Sequence, residues 1–230
     1  MTRLDNKEIT KEVIELVEHT AVETFNNPTE DVMWEDKDKI DGEAIARSVS
    51  KKYAKEVAPK LVVAASELSI SYDNAIEFTD LSITIGGTVD LILQNKNGLF
   101  VADKKTGKTA VDSRGSVNAA KYRLQIGAYE ILADHFLRKN GFDGITTDSL
   151  IIGMTTAKTE ASQRIGFGYT RGSQEHVVKA LKFIRSAVNA SVDSKRDDDL
   201  FSDHFAENPN SFMCSEKYCP RFKQCSFFKN

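Results

Sequence analysis

The chain has 230 residues, of which 40% are hydrophobic and 28% charged, and this composition is typical of an ordinary globular protein. It contains no run of about 18 apolar residues and no apolar leader at its N-terminus, so we expect a soluble, cytoplasmic protein that binds no membrane. Its net charge of −3 excludes a generally basic nucleic-acid binder, and any nucleic-acid contact must come from a local basic strip.

Helical periodicity dominates the N-terminal part of the chain. Apolar residues recur three and four apart over 7–25, which predicts a helix. The polar stretch 26–40 is predicted to be a loop. A second helix is expected from Asp41, its candidate N-cap, to Ala58, because Pro59 follows.

The hydrophobic period then changes from the helical value towards two. Four consecutive segments are predicted to be strands, at 61–72, 76–85, 87–94 and 98–104. The turn sequences DN, GG and NKNG separate them. Because such short connections cannot make parallel crossovers, the four strands are expected to form an antiparallel meander.

The second half of the chain alternates helices and strands. The clearest amphipathic stripe predicts a helix over 116–139, and Gly141 lies just past its end. Strands at 148–155 and 163–169 follow, and then a helix at 173–192. The order α-α-β-β-β-β-α-β-β-α predicts an α/β fold, with a central mixed sheet of about five strands flanked by helices.

The chain ends in a short polar segment that holds all its cysteines. We expect N-terminal helices at 1–60, a core at 61–195 and this appendage at 196–230, all in one compact domain. The clustered cysteines, without a signal peptide, favour metal ligation over disulfides, and they are Cys214, Cys219 and Cys225. His19 or His204 could supply a fourth ligand. The alternative is a polar extension with free thiols.

An acidic and basic constellation lies on the two central predicted strands. Asp90 is inside T-V-D-L-I-L, and Asp103 and Lys105 end the next strand, F-V-A-D-K-K-T-G. Residues two apart on a strand point to one face, so Asp103 and Lys105 lie together. The NKNG turn pairs the two strands and brings Asp90 close. A carboxylate among apolar neighbours also needs a partner, since its burial alone costs free energy.

These residue types suit the hydrolysis of phosphodiesters. Asp90 and Asp103 can hold Mg²⁺ or Mn²⁺ through hard oxygen ligands. The metal would lower the pKa of a bound water and stabilise charge on the phosphate. Lys105 can orient that water or neutralise the charge, so we predict that it is catalytic. The alternative is that Asp-x-Lys is a solvated strand end, as most isolated instances are.

Two polar residues follow on the predicted helix after this strand. Gln125 and Tyr129 are four apart, share one helix face and can approach a site at the edge of the sheet. The alternative is a half-buried tyrosine next to a polar boundary residue.

A phosphate-binding loop is the competing interpretation of A-D-K-K-T-G-K-T at 102–109. It differs by one residue from G-x-x-x-x-G-K-[ST], because Ala102 replaces the first glycine. The segment that follows, A-V-D-S-R-G, predicts turns rather than the helix that such a loop must enter. We therefore favour the metal site over an ATPase.

Taken in order, G-T-V-D, V-A-D-K-K-T-G-K and Q-I-G-A-Y resemble the RecB-like, Cas4-like branch of the PD-(D/E)XK nucleases. The resemblance implies a restriction-endonuclease-like core at 61–195. It also implies metal binding by Asp90 and Asp103, catalysis by Lys105, and a DNA-binding side lined by Gln125 and Tyr129.

The same resemblance implies a DNA exonuclease that acts in recombination or repair, in a bacterial cell or a phage-infected host. A helicase or single-strand annealing protein would be its partner, and it could form a homo-oligomer. One position departs from the family, because Ala46 stands where members often carry His or Glu. Glu43 or Glu67 could substitute as the extra ligand. The alternative is an inactive DNA-binding scaffold with the same fold.

The C-terminal segment C-P-x-F-x-x-C is also similar to that of the iron–sulfur members of this family. Those members hold a [4Fe–4S] cluster with one N-terminal and three C-terminal cysteines. This chain lacks the N-terminal cysteine, so a cluster on Cys214, Cys219 and Cys225 would need another fourth ligand. Zn²⁺ is the alternative metal.

Overall fold

The computed structural model describes most of the chain, in five stretches: 9–27, 36–71, 74–146, 148–172 and 174–193. The α-helices in these stretches are α1 (Lys11–Asn26), α2 (Asp36–Glu56), α3 (Arg123–Lys139) and α4 (Gln174–Asp193), and short 3-10 helices lie at Ala58–Lys60, Ala119–Tyr122 and Glu160–Ser162. The strands are β1 (Val63–Ile70), β2 (Ile76–Phe78), β3 (Ile83–Ile85), β4 (Gly87–Asn95), β5 (Gly98–Thr106), β6 (Ser149–Met154) and β7 (Ile165–Thr170).

The central sheet has five strands in the order β1-β4-β5-β6-β7. All neighbours are antiparallel except β5 and β6, which run parallel, so the sheet is mixed as predicted. A parallel pair needs a long crossover, and the segment between β5 and β6, which contains α3, provides it. The α/β fold expected from the order of elements is confirmed, and it is consistent with the restriction-endonuclease-like core that the resemblance implies.

The two faces of the sheet pack against different helices. On one face, Ile126, Ala133 and Leu137 of α3 pack in a cluster with Val101 and Ile151 of the sheet. On the other face, Val57, directly after α2, packs in a cluster with Leu91, Leu93, Phe100, Ala102, Leu150 and Ile152. Because β5 is covered on both faces, its residues are buried in succession rather than alternately.

The prediction of one strand over 76–85 is wrong. This stretch forms two short strands, β2 and β3, which make a separate two-stranded sheet. The turn between them closes where the backbone N–H of Leu81 donates to the carbonyl of Phe78 at 3.0 Å. Asp80 and Ser82 favour turns, but the apolar residues that alternate around them predict one continuous strand. As a consequence, β1 pairs directly with β4 and the expected four-stranded meander does not form.

The starts of two helices, α2 and α3, differ most from the prediction. Helix α2 begins at Asp36, inside the expected loop, so Asp41 is no N-cap. The carboxylate of Asp41 instead contacts Nζ of Lys158 at 2.6 Å. The sequence from Asp36 onward is polar but contains no helix breaker, so periodicity alone placed the start too late. Helix α3 begins at Arg123, because the residues directly before it, Ala119–Tyr122, form a 3-10 helix that packs against the sheet.

Residues 107–118, after β5, form turns and no α-helix, so no helix N-terminus follows the 102–109 segment. This excludes the geometry of a phosphate-binding loop there. None of the helices in the described stretches is both long and apolar enough to cross a membrane. The chain divides into two compact units, Met1–Glu77 with Thr84–Val177 and Phe78–Ile83 with Val178–Asn230. The predicted catalytic residues all belong to the first.

Candidate active site

The three predicted catalytic residues lie together at one end of β4 and β5. Asp90 is in β4, and Asp103 and Lys105 are in β5. Alternation along β5 directs Asp103 and Lys105 to the same face as Val101, which is the face that α3 covers. Lys104 points to the opposite face. The prediction that Asp103 and Lys105 share a face is therefore confirmed by the strand they occupy.

Asp90 is held where the two strands begin to separate. The register between them pairs Leu91 with Ala102. Beyond this pair, on the side of the site, the backbone N–H of Lys104 in β5 donates to Oδ2 of Asp90 in β4 at 3.1 Å. The carboxylate therefore takes the place of a backbone acceptor at this point. This bond supplies the partner that a half-buried acid requires next to Val89, which is 0% exposed.

Asp103 is the most deeply buried charged group of the site, with 1% of its surface exposed. Nζ of Lys105 lies 3.0 Å from its Oδ1 and 2.8 Å from its Oδ2. Burial raises the pKa of Asp103, the hydrogen bond and charge of Lys105 oppose that rise, and the charge of Asp90 adds to it. The net direction is upward, so Lys105 does not fully compensate the buried charge.

The site fits a divalent cation. Among the described residues, Oδ2 of Asp103 is buried and receives no well-directed hydrogen bond, although Lys105 lies near it. A buried oxygen without a hydrogen bond costs about 1–3 kcal/mol, so it needs a further partner. The carboxylate of Asp90 lies close enough to act on the pKa of Asp103. Two hard carboxylates in this arrangement match the ligand chemistry of Mg²⁺ and Mn²⁺.

Tyr122 is a site residue that the sequence did not reveal. Nζ of Lys105 lies 5.3 Å from the centroid of its ring, and Nζ of Lys121 lies 5.7 Å from the same centroid. Both distances are in the range of cation–π attraction. The ammonium of Lys105 is therefore held by the Asp103 carboxylate and also by the Tyr122 ring. Tyr122 falls inside the amphipathic helix predicted over 116–139, and that periodicity gives no sign of a contact with Lys105.

Gln125 and Tyr129 interact with each other on α3. Nε2 of Gln125 donates to Oη of Tyr129 at 2.9 Å, so the two share a helix face as predicted. Gln125 is exposed, and Tyr129 is half-buried against the core cluster of that face. Their contact with DNA stays a prediction.

The two glutamates considered as an extra ligand have other partners. Glu43 accepts hydrogen bonds from Asn26 at 3.3 Å and from Arg47 at 3.1 Å. Oε1 of Glu67 lies 3.1 Å from Nζ of Lys104. In the stretches that the structure describes, no group of three His, Cys, Asp or Glu side chains is arranged to hold a metal. Neither glutamate thus joins the two aspartates.

The candidate ligands of a second metal centre divide into two groups. His19 lies on the exposed surface of α1, where its Nε2 is 3.9 Å from Glu23. The other candidates lie outside the described residues, and they are Cys214, Cys219, Cys225 and His204.

Comparison with known families gives one finding. The model of the PD-(D/E)XK nuclease superfamily matches residues 2–226, which include the whole site. A comparison with curated proteins found no match.

The raised pKa of Asp103 gives a test of its electrostatic state without any activity assay. A carboxyl whose pKa is higher in the folded than in the unfolded chain destabilises the fold at any pH where it is ionised. Asp103→Asn should therefore raise the Tm of the metal-free protein in EDTA at neutral pH. The expected rise is about 2–4 °C, the shift that ~1 kcal/mol produces at this chain length.

Asp134 provides the matched control, because its pKa is lowered. Burial alone would raise the pKa of Asp134, but hydrogen bonds from Arg138 and from the backbone N–H of Ile145 outweigh burial. Asp134→Asn should therefore lower the Tm under the same conditions. Adding Mn²⁺ should raise the Tm of the wild type but not that of Asp103→Asn. A drop in Tm for both variants in EDTA would contradict this account of Asp103.

Proposed function

The chain belongs to the PD-(D/E)XK nuclease superfamily, and we propose that it is an active, metal-dependent nuclease that hydrolyses the phosphodiester bonds of DNA. The observation that carries the proposal is the buried pair of Asp103 and Lys105 beside Asp90. A buried acid with a raised pKa, opposed by a specific cation, is typical of functional sites. A solvated strand end would leave Asp103 exposed, whereas it is 1% exposed.

Asp90 and Asp103 would hold Mg²⁺ or Mn²⁺, which supplies charge stabilisation at the phosphate and lowers the pKa of the attacking water. Lys105 is positioned beside them by Asp103 and Tyr122. An ammonium group has three N–H donors, and its contacts with Asp103 occupy at most two. At least one donor is left to orient water or to bind a phosphate oxygen.

We further propose that the enzyme is an exonuclease of the RecB-like type, acting in DNA recombination or repair. The support is the pairing of Gln125 with Tyr129 on the helix that follows the catalytic strand. In the sequence these residues form the Q-I-G-A-Y motif of that branch. A helicase or a single-strand annealing protein is the class of partner that this assignment implies, and a homo-oligomer is the assembly we expect.

One observation favours a second candidate function, an inactive DNA-binding scaffold. The site has two carboxylates, and no third ligand joins them among the described residues. Ala46 occupies the position where many relatives carry a ligand, and it is half-buried in α2. Fewer charged ligands weaken the binding of a divalent cation. The two candidates differ in whether the wild-type protein cleaves DNA.

Cleavage of labelled linear DNA in Mn²⁺ separates the roles of the three residues. Asp90→Ala and Asp103→Ala should lose both Mn²⁺ binding and cleavage, because each removes a charged ligand. Lys105→Ala should keep Mn²⁺ binding and lower kcat by about 100-fold, the usual loss for one electrostatic group. Lys96→Ala is the control, since Lys96 is an exposed lysine in the β4–β5 turn. No cleavage by the wild type with any divalent metal would favour the scaffold.

The ring of Tyr122 should matter through Lys105. Tyr122→Phe keeps the ring and should retain cleavage, whereas Tyr122→Leu removes it. We expect Tyr122→Leu to lower kcat about two- to five-fold, the equivalent of 0.5–1 kcal/mol of cation–π attraction. The KM for DNA should stay unchanged. Steady-state kinetics of the two variants provide the measurement, and equal losses in both would show that the ring has no such role.

We also propose that Cys214, Cys219 and Cys225 bind a [4Fe–4S] cluster, with Zn²⁺ as the alternative. Three thiols within twelve residues suit a soft metal centre. Protein purified without oxygen should be brown and absorb near ~400 nm. Cys219→Ser should remove this absorbance and leave the aspartate site intact. Colourless protein that contains neither iron nor zinc by elemental analysis would rule the centre out.

A further inference from the structure

The loop between α3 and β5, the strand that carries Asp103 and Lys105, borders the active site. We call residues 107–123 the basic loop, which consists of turns, the 3-10 helix Ala119–Tyr122 and the first residue of α3. It leaves β5 two residues after Lys105, where the backbone N–H of Gly107 donates to the carbonyl of Met154 at 3.2 Å. It returns to the same lysine at Tyr122, whose ring lies beside the ammonium. Both ends of the basic loop are therefore fixed next to the catalytic residue.

The middle of the basic loop is packed on the sheet. Val111 is 1% exposed and lies against Gly153 of β6 and Gly166 of β7. A Cβ atom at Gly153 would come within 2.6 Å of Val117, so glycine is needed for this close packing. Because Gly153 is paired with Lys105 across β5 and β6, the loop crosses the sheet directly beside the site.

A turn centred on Asp112 presents the tip of the basic loop to solvent. Oδ1 of Asp112 accepts hydrogen bonds from the backbone N–H groups of Arg114 and Ser116, both at 2.8 Å. These bonds lower the pKa of Asp112, the one from Ser116 having the largest effect, so the carboxylate is ionised at neutral pH. The side chain of Arg114 is 86% exposed, and its Nε lies 3.6 Å from Oδ2 of Asp112.

This part of the chain is strongly basic although the whole protein carries −3. Residues 104–123 contain a single acid, Asp112. The basic residues in the same span number six, and they are Lys104, Lys105, Lys108, Arg114, Lys121 and Arg123. Two of them are already engaged, since Lys104 pairs with Glu67 on the opposite face and Lys105 pairs with Asp103.

Of the other four cations, Arg114 lies near an acid, its neighbour Asp112, and the other three do not. Within the described part of the chain, Lys108, Lys121 and Arg123 are exposed and form no ion pair. By contrast, lysines on α2 pair with carboxylates, such as Lys51 with Glu18 at 3.0 Å. Unpaired cations on a fixed loop are suited to an external polyanion rather than to the stability of the fold.

We propose that the basic loop binds the phosphodiester backbone of the DNA on one side of the cleaved bond, through Lys108, Arg114, Lys121 and Arg123. The inference rests on the proposed DNA substrate. Lys121 and Lys105 approach the same ring, so their ammonium groups are at most about 11 Å apart. Lys121 is therefore close enough to contact a phosphate next to the one at the cleaved bond. Contacts to phosphates position DNA without reading its sequence.

Equilibrium binding in EDTA, where the metal needed for cleavage is absent, tests the proposal. The probe is a fluorescently labelled duplex whose anisotropy is measured over a series of salt concentrations. The triple variant Lys108→Ala/Arg114→Ala/Arg123→Ala should bind about tenfold more weakly or worse. The slope of log K against log salt should fall by about one for each phosphate contact that is lost. Lys96→Ala removes an equally exposed lysine at the far end of β5 and should change neither quantity.

A variant with the opposite expected sign excludes misfolding as the cause. Asp112→Asn keeps the Oδ1 acceptor for the two backbone N–H groups and removes the one negative charge of the loop. It should bind the duplex about two- to five-fold more tightly, which a damaged fold cannot do. An unchanged affinity and salt slope in the triple variant would overturn the proposal, and so would weaker binding by Asp112→Asn.

Cleavage in Mn²⁺ is measured separately, so the two proposals fail independently. If the wild type cleaves DNA, the triple variant should show a raised KM and an unchanged kcat at saturating DNA. Cleavage with the same KM in the triple variant would leave the nuclease standing and overturn the role of the basic loop. If the wild type binds the duplex through the basic loop but does not cleave it, the proposed role of the loop is supported and the proposed nuclease activity is overturned. No binding of the duplex by the wild type would overturn the basic loop.

Discussion

The burial of the Asp103 carboxylate is the constraint on which the site depends. An ionised acid with 1% exposure is unfavourable, and its raised pKa shows that Lys105 only partly offsets the cost of its burial. Such a group persists because β5 is an inner strand, paired on both sides by β4 and β6, so that its backbone cannot move the side chain into water. The fold thus keeps an acid where a bound divalent cation would offset the rest of the cost of its burial.

The parallel pairing of β5 with β6 has a second consequence. A parallel neighbour requires a crossover, and the crossover here leaves the sheet two residues after Lys105. The basic loop and α3 follow one another in this crossover, so one connection places Tyr122 and the Gln125–Tyr129 pair on the same face as Asp103. The sheet topology, rather than any single side chain, therefore assembles the residues around the site.

Regular periodicity explains what the sequence could reveal. Period two placed Asp103 and Lys105 on one face, and spacing of four placed Gln125 beside Tyr129. The features that the sequence could not reveal depend on irregular backbone. The turn at Asp80 and Ser82 divided a predicted strand, and the loop before Arg123 brought Tyr122 onto Lys105, a contact that depends on long-range packing. The partners of the two candidate glutamates depend likewise on how separate elements meet.

The most direct test of the central claim is an anomalous difference map from crystals grown with Mn²⁺. The account predicts one strong peak within about 2.5 Å of carboxylate oxygens of both Asp90 and Asp103. It also predicts that Nζ of Lys105 lies beside the ion without ligating it, since an ammonium has no lone pair to offer. Manganese bound elsewhere, or no manganese at saturating concentration with Lys105 still paired to Asp103, would contradict the account.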